Sequence, residues 1–264
     1  MDSRPTLSSK TLLNAREWGA VVILLATYWG VHGFAITYVR EPIILFIPTA
    51  VAVCILFFNG IRLWPAIYVA SLVSGVFIIS MPLPHLFVLP VAEVFKVALG
   101  AYLLREAGID PLFRKFRDMF FLIIVVFVIS AITPTISALL SIFAGSPYSI
   151  DLWGRRYAAA VLTLLIFVPL LLRWLAKRRF SRTLLETAEI VVAFSLLAGL
   201  SVTYFILAVK VIAGLPIVYF ILIPLFWIAL RLRPRFITLA LLTLSVIALG
   251  SIFLNEFDPV LRTT

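Results

Sequence analysis

Apolar residues fill this chain in runs of about 17 to 25 positions, set apart by short segments that hold most of the charge. The runs lack the alternation over roughly ten residues that marks an outer-membrane barrel strand. At about 1.5 Å of rise per residue, a helix of this length crosses a hydrocarbon layer about 30 Å thick. The pattern predicts nine spans, over 18–38, 42–58, 63–80, 83–104, 119–143, 154–175, 187–209, 214–230 and 236–254. The expected fold class is therefore all-α, a polytopic transmembrane helical bundle of about nine spans, within a range of about eight to ten. Residues 1–17 read as a retained cytoplasmic leader, because no small-residue cleavage site follows a short apolar region. Residues 18–254 read as one integral-membrane domain and 255–264 as a short tail.

Composition points the same way. Of 264 residues, 63% are apolar and 13% charged, against about 45–50% and about 25% in soluble domains. A water-soluble fold of this length has no interior large enough to hide so much apolar surface.

The net charge of +10 raises the question of nucleic acid, and the placement of the charge answers it. With the N-terminus inside, the inner segments hold Arg4, Lys10, Arg16, Arg62, Arg105, Arg114, Lys115, Arg117, Arg173, Lys177, Arg178, Arg179, Arg182, Arg231, Arg233 and Arg235. Those are 16 of the 22 bases; Arg40, Arg155, Arg156, Lys210 and Arg262 fall outside, and Lys96 lies within a span. This is the inward bias of membrane proteins, so the expected partner is the lipid bilayer and not nucleic acid. The basic stretch Arg173 to Arg182 fits a cytoplasmic anchor on anionic lipid, or a docking site for a partner. An odd number of spans puts the C-terminus outside.

Candidate chemistry is sparse. No segment between spans exceeds about 20 residues, too few for a kinase, cyclase, hydrolase or DNA-binding domain. The chain has no nucleophile elbow, phosphate loop or dinucleotide fingerprint, so no enzymatic activity is expected. The single cysteine, Cys54, lies in a span and forms no intrachain disulfide. No Cys/His/Asp cluster has metal-ligand spacing. His32 and His85 both fall near the outer face, and two histidines are able to hold a haem; nothing else supports one, and no cofactor is expected.

The exception is Leu83 to Leu104, LPHLFVLPVAEVFKVALGAYLL. Glu93, Lys96 and Gly100 share one helical face there. A charge at the bilayer centre costs about 2.5–3.5 kcal/mol, so this face meets other protein and not lipid. A structural ion pair and the wall of a ligand or proton pocket both fit. Ser130, Thr133, Pro134, Ser137 and Ser141 form one polar stripe on the fifth span, kinked at Pro134. It suits helix-to-helix hydrogen bonding or a polar wall shared with Glu93 and Lys96. Ala66, Ala70 and Ser74, with Ser71 and Gly75, give the third span rows of small residues for close packing. Trp153, Arg155 and Arg156, with Asp151, open the sixth span on the side where arginines are disfavoured. They fit either an interfacial anchor or recognition of an anionic ligand or headgroup. The ligand-binding candidates are thus Glu93, Lys96, Trp153, Arg155 and Arg156.

Three stretches together resemble the bacterial membrane-associated sensor domains of MASE type one. Ile47 to Ala66 has Pro48 near the opening of a span and a Gly-x-Arg-x-Trp-Pro turn at Gly60, Arg62, Trp64 and Pro65. Trp153 to Trp174 has a Trp at its start and Pro169 late in the span. Tyr219 to Arg235 carries Pro224, Trp227 and Arg231, similar to the family's Pro-x-x-x-Trp-x-x-x-Arg pattern. The sequence departs from the family at Ile47, Ala50 and Glu256–Pro259. The motif residues have structural roles on physical grounds: Gly60 permits a tight turn, Arg62 and Trp64 anchor an interface, and Pro224 bends a short span.

The resemblance implies a sensory signal-input module in a bacterial or archaeal cell (inner) membrane, responding to a small ligand or to membrane state. It also implies an output partner, a cytoplasmic histidine kinase or cyclic-di-GMP enzyme, which this sequence does not contain. The alternative from the residues is a small-molecule transporter or substrate-capture subunit, since kinked and short spans with midplane charges serve such proteins.

Overall fold

The structure, a computed structural model, describes residues 15–38, 46–79, 83–145, 148–176, 184–207, 211–212, 215–232 and 234–257. They form α1 (Ala15–Tyr38), α2 (Ile47–Asn59), a 3₁₀ turn (Ile61–Leu63), and α3 (Trp64–Ser74) running into a π turn (Gly75–Ile79). Next come α4 (Leu83–Glu106), α5 (Phe116–Ser130), α6 (Ile132–Phe143), α7 (Ile150–Leu175) and α8 (Leu184–Phe205). α9 (Ile217–Arg231) and α10 (Pro234–Phe257) follow. Between α8 and α9 lies the only strand pairing among the described residues, β1 (Val211–Ile212) antiparallel to β2 (Leu215–Pro216). The architecture is otherwise helical. The leader through residue 14, Arg40, and 258–264 lie outside the described residues.

Among the described residues, four segments are long and apolar enough to cross a membrane: Leu83–Glu106, Phe116–Phe143, Ile150–Leu175 and Thr187–Phe205. Ile47–Asn59, Ile61–Phe77, Tyr219–Arg231 and Phe236–Ala248 are shorter apolar helices. The outside of the bundle is as oily as its inside, with Phe116, Phe120, Phe127, Leu222, Ile223 and Leu230 all exposed. Water would penalise that surface and a hydrocarbon layer would not.

Buried apolar residues gather in two groups. The larger unites α1–α5 and α7 around Leu24, Leu56, Ile67, Val97, Leu104, Ile129 and Leu164. The smaller, Ala193, Leu197, Ile221, Ile228, Leu232, Phe236 and Ala240, belongs to α8, α9 and α10. α10 packs on α7 and so joins the second body to the first. Small residues bring α3 and α4 close to their neighbours: Ala70 and Ser74 are fully buried, as the rows of small residues predict. At Gly100 the approach is tighter, since a Cβ there would stand 2.9 Å from Ile129 Cδ1 of α5.

Turn chemistry sets the element boundaries. Pro48 and Pro65 each sit in the first turn of a helix, where a missing N–H costs nothing. Gly60 ends α2 at φ 94° and ψ 166°, a backbone that glycine alone takes without strain, and its N–H closes on the Leu56 carbonyl. The expected kink on the fifth span lies earlier than Pro134. The helix breaks at Ala131, between α5 and α6. The proline ring clashes with the carbonyl four residues back, Ser130, so the ladder fails in the turn before the proline. Pro90, Pro169 and Pro224, by contrast, lie inside continuous helices.

Candidate functional site

Glu93 and Lys96 rise from the middle of α4, one turn apart on the face that α2 and α6 cover. Lys96 Nζ lies 2.6 Å from Glu93 Oε2, and the two residues are 1% and 8% exposed. Three hydroxyls from three other helices converge on the same carboxylate. Thr49 of α2 donates to Oε1 at 2.5 Å, Tyr28 of α1 donates to Oε1 at 3.2 Å, and Thr133 of α6 approaches Oε2 at 3.5 Å. Lys96 also donates to Thr49 Oγ1 at 3.4 Å and stands 5.5 Å from the centre of the Phe46 ring. The pair is thus held where four helices meet, its charges compensated inside the protein.

The polar stripe of α6 continues from this cluster. One turn past Thr133, Ser137 Oγ accepts from Arg156 of α7 at 3.0 Å, and Ser141 donates to the Ser137 carbonyl. The Trp153 indole N–H donates to Thr135 Oγ1 at 3.2 Å, and its ring stacks on Tyr157 with centroids 5.1 Å apart and planes 13° apart. Tyr157 in turn donates to the Phe127 carbonyl. Arg156 and Trp153 are therefore tied to α6, the helix whose Thr133 meets Glu93. Arg155 pairs with Asp151 one turn back, both exposed. Ser149 caps the start of α7 by accepting from the Leu152 N–H at 3.2 Å.

Of the residues of the three sequence motifs, Trp153 lies on this stripe and Pro48 adjoins Thr49 in α2. Arg62 and Trp64 are exposed at the α2–α3 turn. Beside that turn, Arg105 of α4 donates from Nε to the Phe57 carbonyl at 2.7 Å and lays its guanidinium near Gly60. Pro48 and Pro169 are buried in α2 and α7. Arg231 pairs with Glu189 of α8 at 2.8 Å, clasping α9 to α8, while Trp227 is exposed and Pro224 buried.

Among the polar residues, Tyr28, Thr49 and Asp118 escaped the sequence reading. Tyr28 and Thr49 carry no charge and look like ordinary span residues until the fold brings them to Glu93. The spacing of Tyr28 and His32, four apart, was the one available signal. His32 Nδ1 lies 2.5 Å from Ser74 Oγ, and the His32 ring meets Tyr28 edge-on at 5.6 Å. His85 is half-buried with Nδ1 turned to no hydrogen-bond partner. Asp118, at the start of α5, is 1% exposed with no hydrogen bond to either carboxylate oxygen; Arg117 approaches it only to 3.8 Å.

Such an arrangement has a limited chemical repertoire. The Glu93 carboxylate accepts from hydroxyls on α1 and α2, meets a third on α6 and pairs with an ammonium on its own helix. Any event that changes the charge of one member re-sorts the contacts of all four helices.

A family profile, MASE1, matches residues 18–257, nearly the whole chain. No curated protein and no solved structure matches it. Together with the apolar helical bundle, that match means that the chain belongs to the MASE1 family of membrane-associated sensory domains.

Proposed function

We propose that this chain is a non-enzymatic signal-input module whose sensitive element is the buried Glu93–Lys96 cluster. One observation carries the reading: side chains of α1, α2 and α6 converge on a single ion pair of α4 that is almost wholly withdrawn from the surface. Pairs of this kind stabilise little beyond what apolar residues would supply, which leaves room for a switching role. A small ligand, or a change in membrane state, acts by favouring one packing of these helices over another. Trp153 and Arg156 extend the element toward the predicted outer face through Thr135 and Ser137, and Arg155 stands beside them for an anionic group.

In this reading the bundle spans a bacterial or archaeal cell membrane nine times with the N-terminus inside. The basic segments around Arg62, Arg105, Arg114 to Arg117 and Arg173 then face the cytoplasm. They hand the signal to a histidine kinase or a cyclic-di-GMP enzyme supplied as an output partner, with no resident cofactor.

The experiment is a paired measurement on the full chain in lipid vesicles. Candidate small molecules are screened for a thermal shift, and any that bind are tested for flux. Binding without flux, lost in the Glu93→Gln/Lys96→Met double variant, is the expected result. Binding untouched by that variant overturns the cluster as the sensitive element. Measurable flux of the bound compound makes the chain a transporter or capture subunit.

A further inference from the structure

The only imidazole among the described residues that reaches this network is His32, and the network built so far does not use it. We propose that His32 is a proton-binding site coupled through Tyr28 to the Glu93–Lys96 pair, so that protons are one stimulus the bundle reads. The inference extends the preceding reading and rests on it for the consequence, but not for proton binding itself.

The geometry is continuous. His32 and Tyr28 lie on one face of α1 with their rings in edge contact, and the Tyr28 hydroxyl donates to Glu93 Oε1. On the other side of the ring, Nδ1 and Ser74 Oγ share a hydrogen bond at 2.5 Å. Ser74 is fully buried and is the last residue of α3 before the π turn, whose Phe77 packs against Trp29 of α1. His32 itself is 8% exposed.

A neutral imidazole donates from one nitrogen and accepts at the other, whereas an imidazolium donates from both. In the tautomer whose Nδ1 accepts from Ser74, uptake of one proton makes Ser74 Oγ the acceptor, and the serine hydrogen turns elsewhere. A helical serine ordinarily finds its local acceptor in a carbonyl one turn back. The added positive charge sits one helical turn from Tyr28 and acts on Glu93 through a medium that screens poorly. Proton uptake thus touches both the α1–α3 contact and the partners of Glu93.

Other titratable groups on the elements packed against α1 are few. α2 offers Cys54, whose thiol turns to the Val168 carbonyl of α7. α3 offers Tyr68, about 9 Å along the helix from Ser74, and the preceding turn offers exposed Arg62. The π turn has none, and α4 contributes Glu93 and Lys96 through Tyr28. An ordinary imidazole changes charge between about pH 5 and 8.

Because the sequence has two histidines, the site is directly measurable. The full chain, labelled with ¹⁵N-histidine and held in lipid nanodiscs, is titrated by NMR, with His85→Gln assigning the His32 signals. The expected result is a His32 transition between about pH 5 and 8, with a midpoint that moves by about half a unit or more in Glu93→Gln and in Tyr28→Phe. A ring that keeps one protonation form throughout overturns the inference, and so does a midpoint that neither variant moves. Either failure leaves the ligand-binding test of the Glu93–Lys96 cluster standing on its own result.

Discussion

Thr133 of α6 brings its hydroxyl to 3.5 Å from the Glu93 carboxylate of α4, across 40 residues of sequence. One turn further along α6, Ser137 receives Arg156 of α7. A helix broken at Ala131 is thereby pinned to two neighbours by side chains of one stripe, and the ion pair and the arginine near the start of α7 belong to one polar unit.

Removing one charge of the central pair strands the other in a dry setting. Glu93→Gln and Lys96→Met alone should each cost about 3–5 kcal/mol, while the double variant should cost less than either single. Unfolding of the three proteins in one detergent measures this directly. Costs that simply add would mean the two groups are not a pair.

Gly100 reports on the α4–α5 contact. Alanine there sets a methyl against Ile129 Cδ1, an overpacking cost of about 1–3 kcal/mol. Ile129→Val removes that atom, so the Gly100→Ala/Ile129→Val protein should be more stable than Gly100→Ala alone. Thermal unfolding of the pair decides the point, and no recovery would place the strain elsewhere.

Gly60→Ala should destabilise the chain by about 1–3 kcal/mol, because its positive φ is the strained choice for any residue with a Cβ. The nearest atom to such a Cβ, on Arg105, is 3.6 Å away, so crowding is not the cause. Gly60→Ser should therefore be about as unstable as the alanine variant in the same assay.

The clasp between Glu189 and Arg231 should show charge-order independence. Either reversal alone should weaken the α8–α9 contact by about 0.5–1 kcal/mol, given the exposure of the arginine, and the exchange of both residues should restore it. Limited proteolysis between α8 and α9 in vesicles is a sensitive readout. Uniform loss in all three variants would argue for a role of Arg231 beyond the pair.

Trp153 separates stacking from hydrogen bonding. Trp153→Phe keeps a ring beside Tyr157 and loses the bond to Thr135, and Trp153→Ala loses both. The alanine variant should be the less stable by about 1 kcal/mol. Equal stability would mean the stack contributes nothing to the α6–α7 contact.

The helices were legible because long apolar runs admit one structure in lipid. The charged pair was legible for the same reason: Glu93 and Lys96 stand out against an uncharged background. What surrounds them was not. Thr49 and Tyr28 become ligands of the carboxylate through packing between α1, α2 and α4, which one helical period cannot report. Pro134 announced a kink, but its ring acts on a carbonyl four residues earlier, so the break sits at Ala131. Asp118 gave no warning either, since an acid in the first turn of a helix is commonplace and only its burial is unusual.

The two buried apolar groups share no residue, and all of the larger one lies before position 176. During synthesis, the body that contains Glu93 and Lys96 is therefore complete in sequence before the first residue of α8 leaves the ribosome. The late three helices then dock on a finished surface along α7. Damage to that docking would yield a protein with the Glu93–Lys96 cluster assembled and its last third misplaced, a failure of attachment and not of the core.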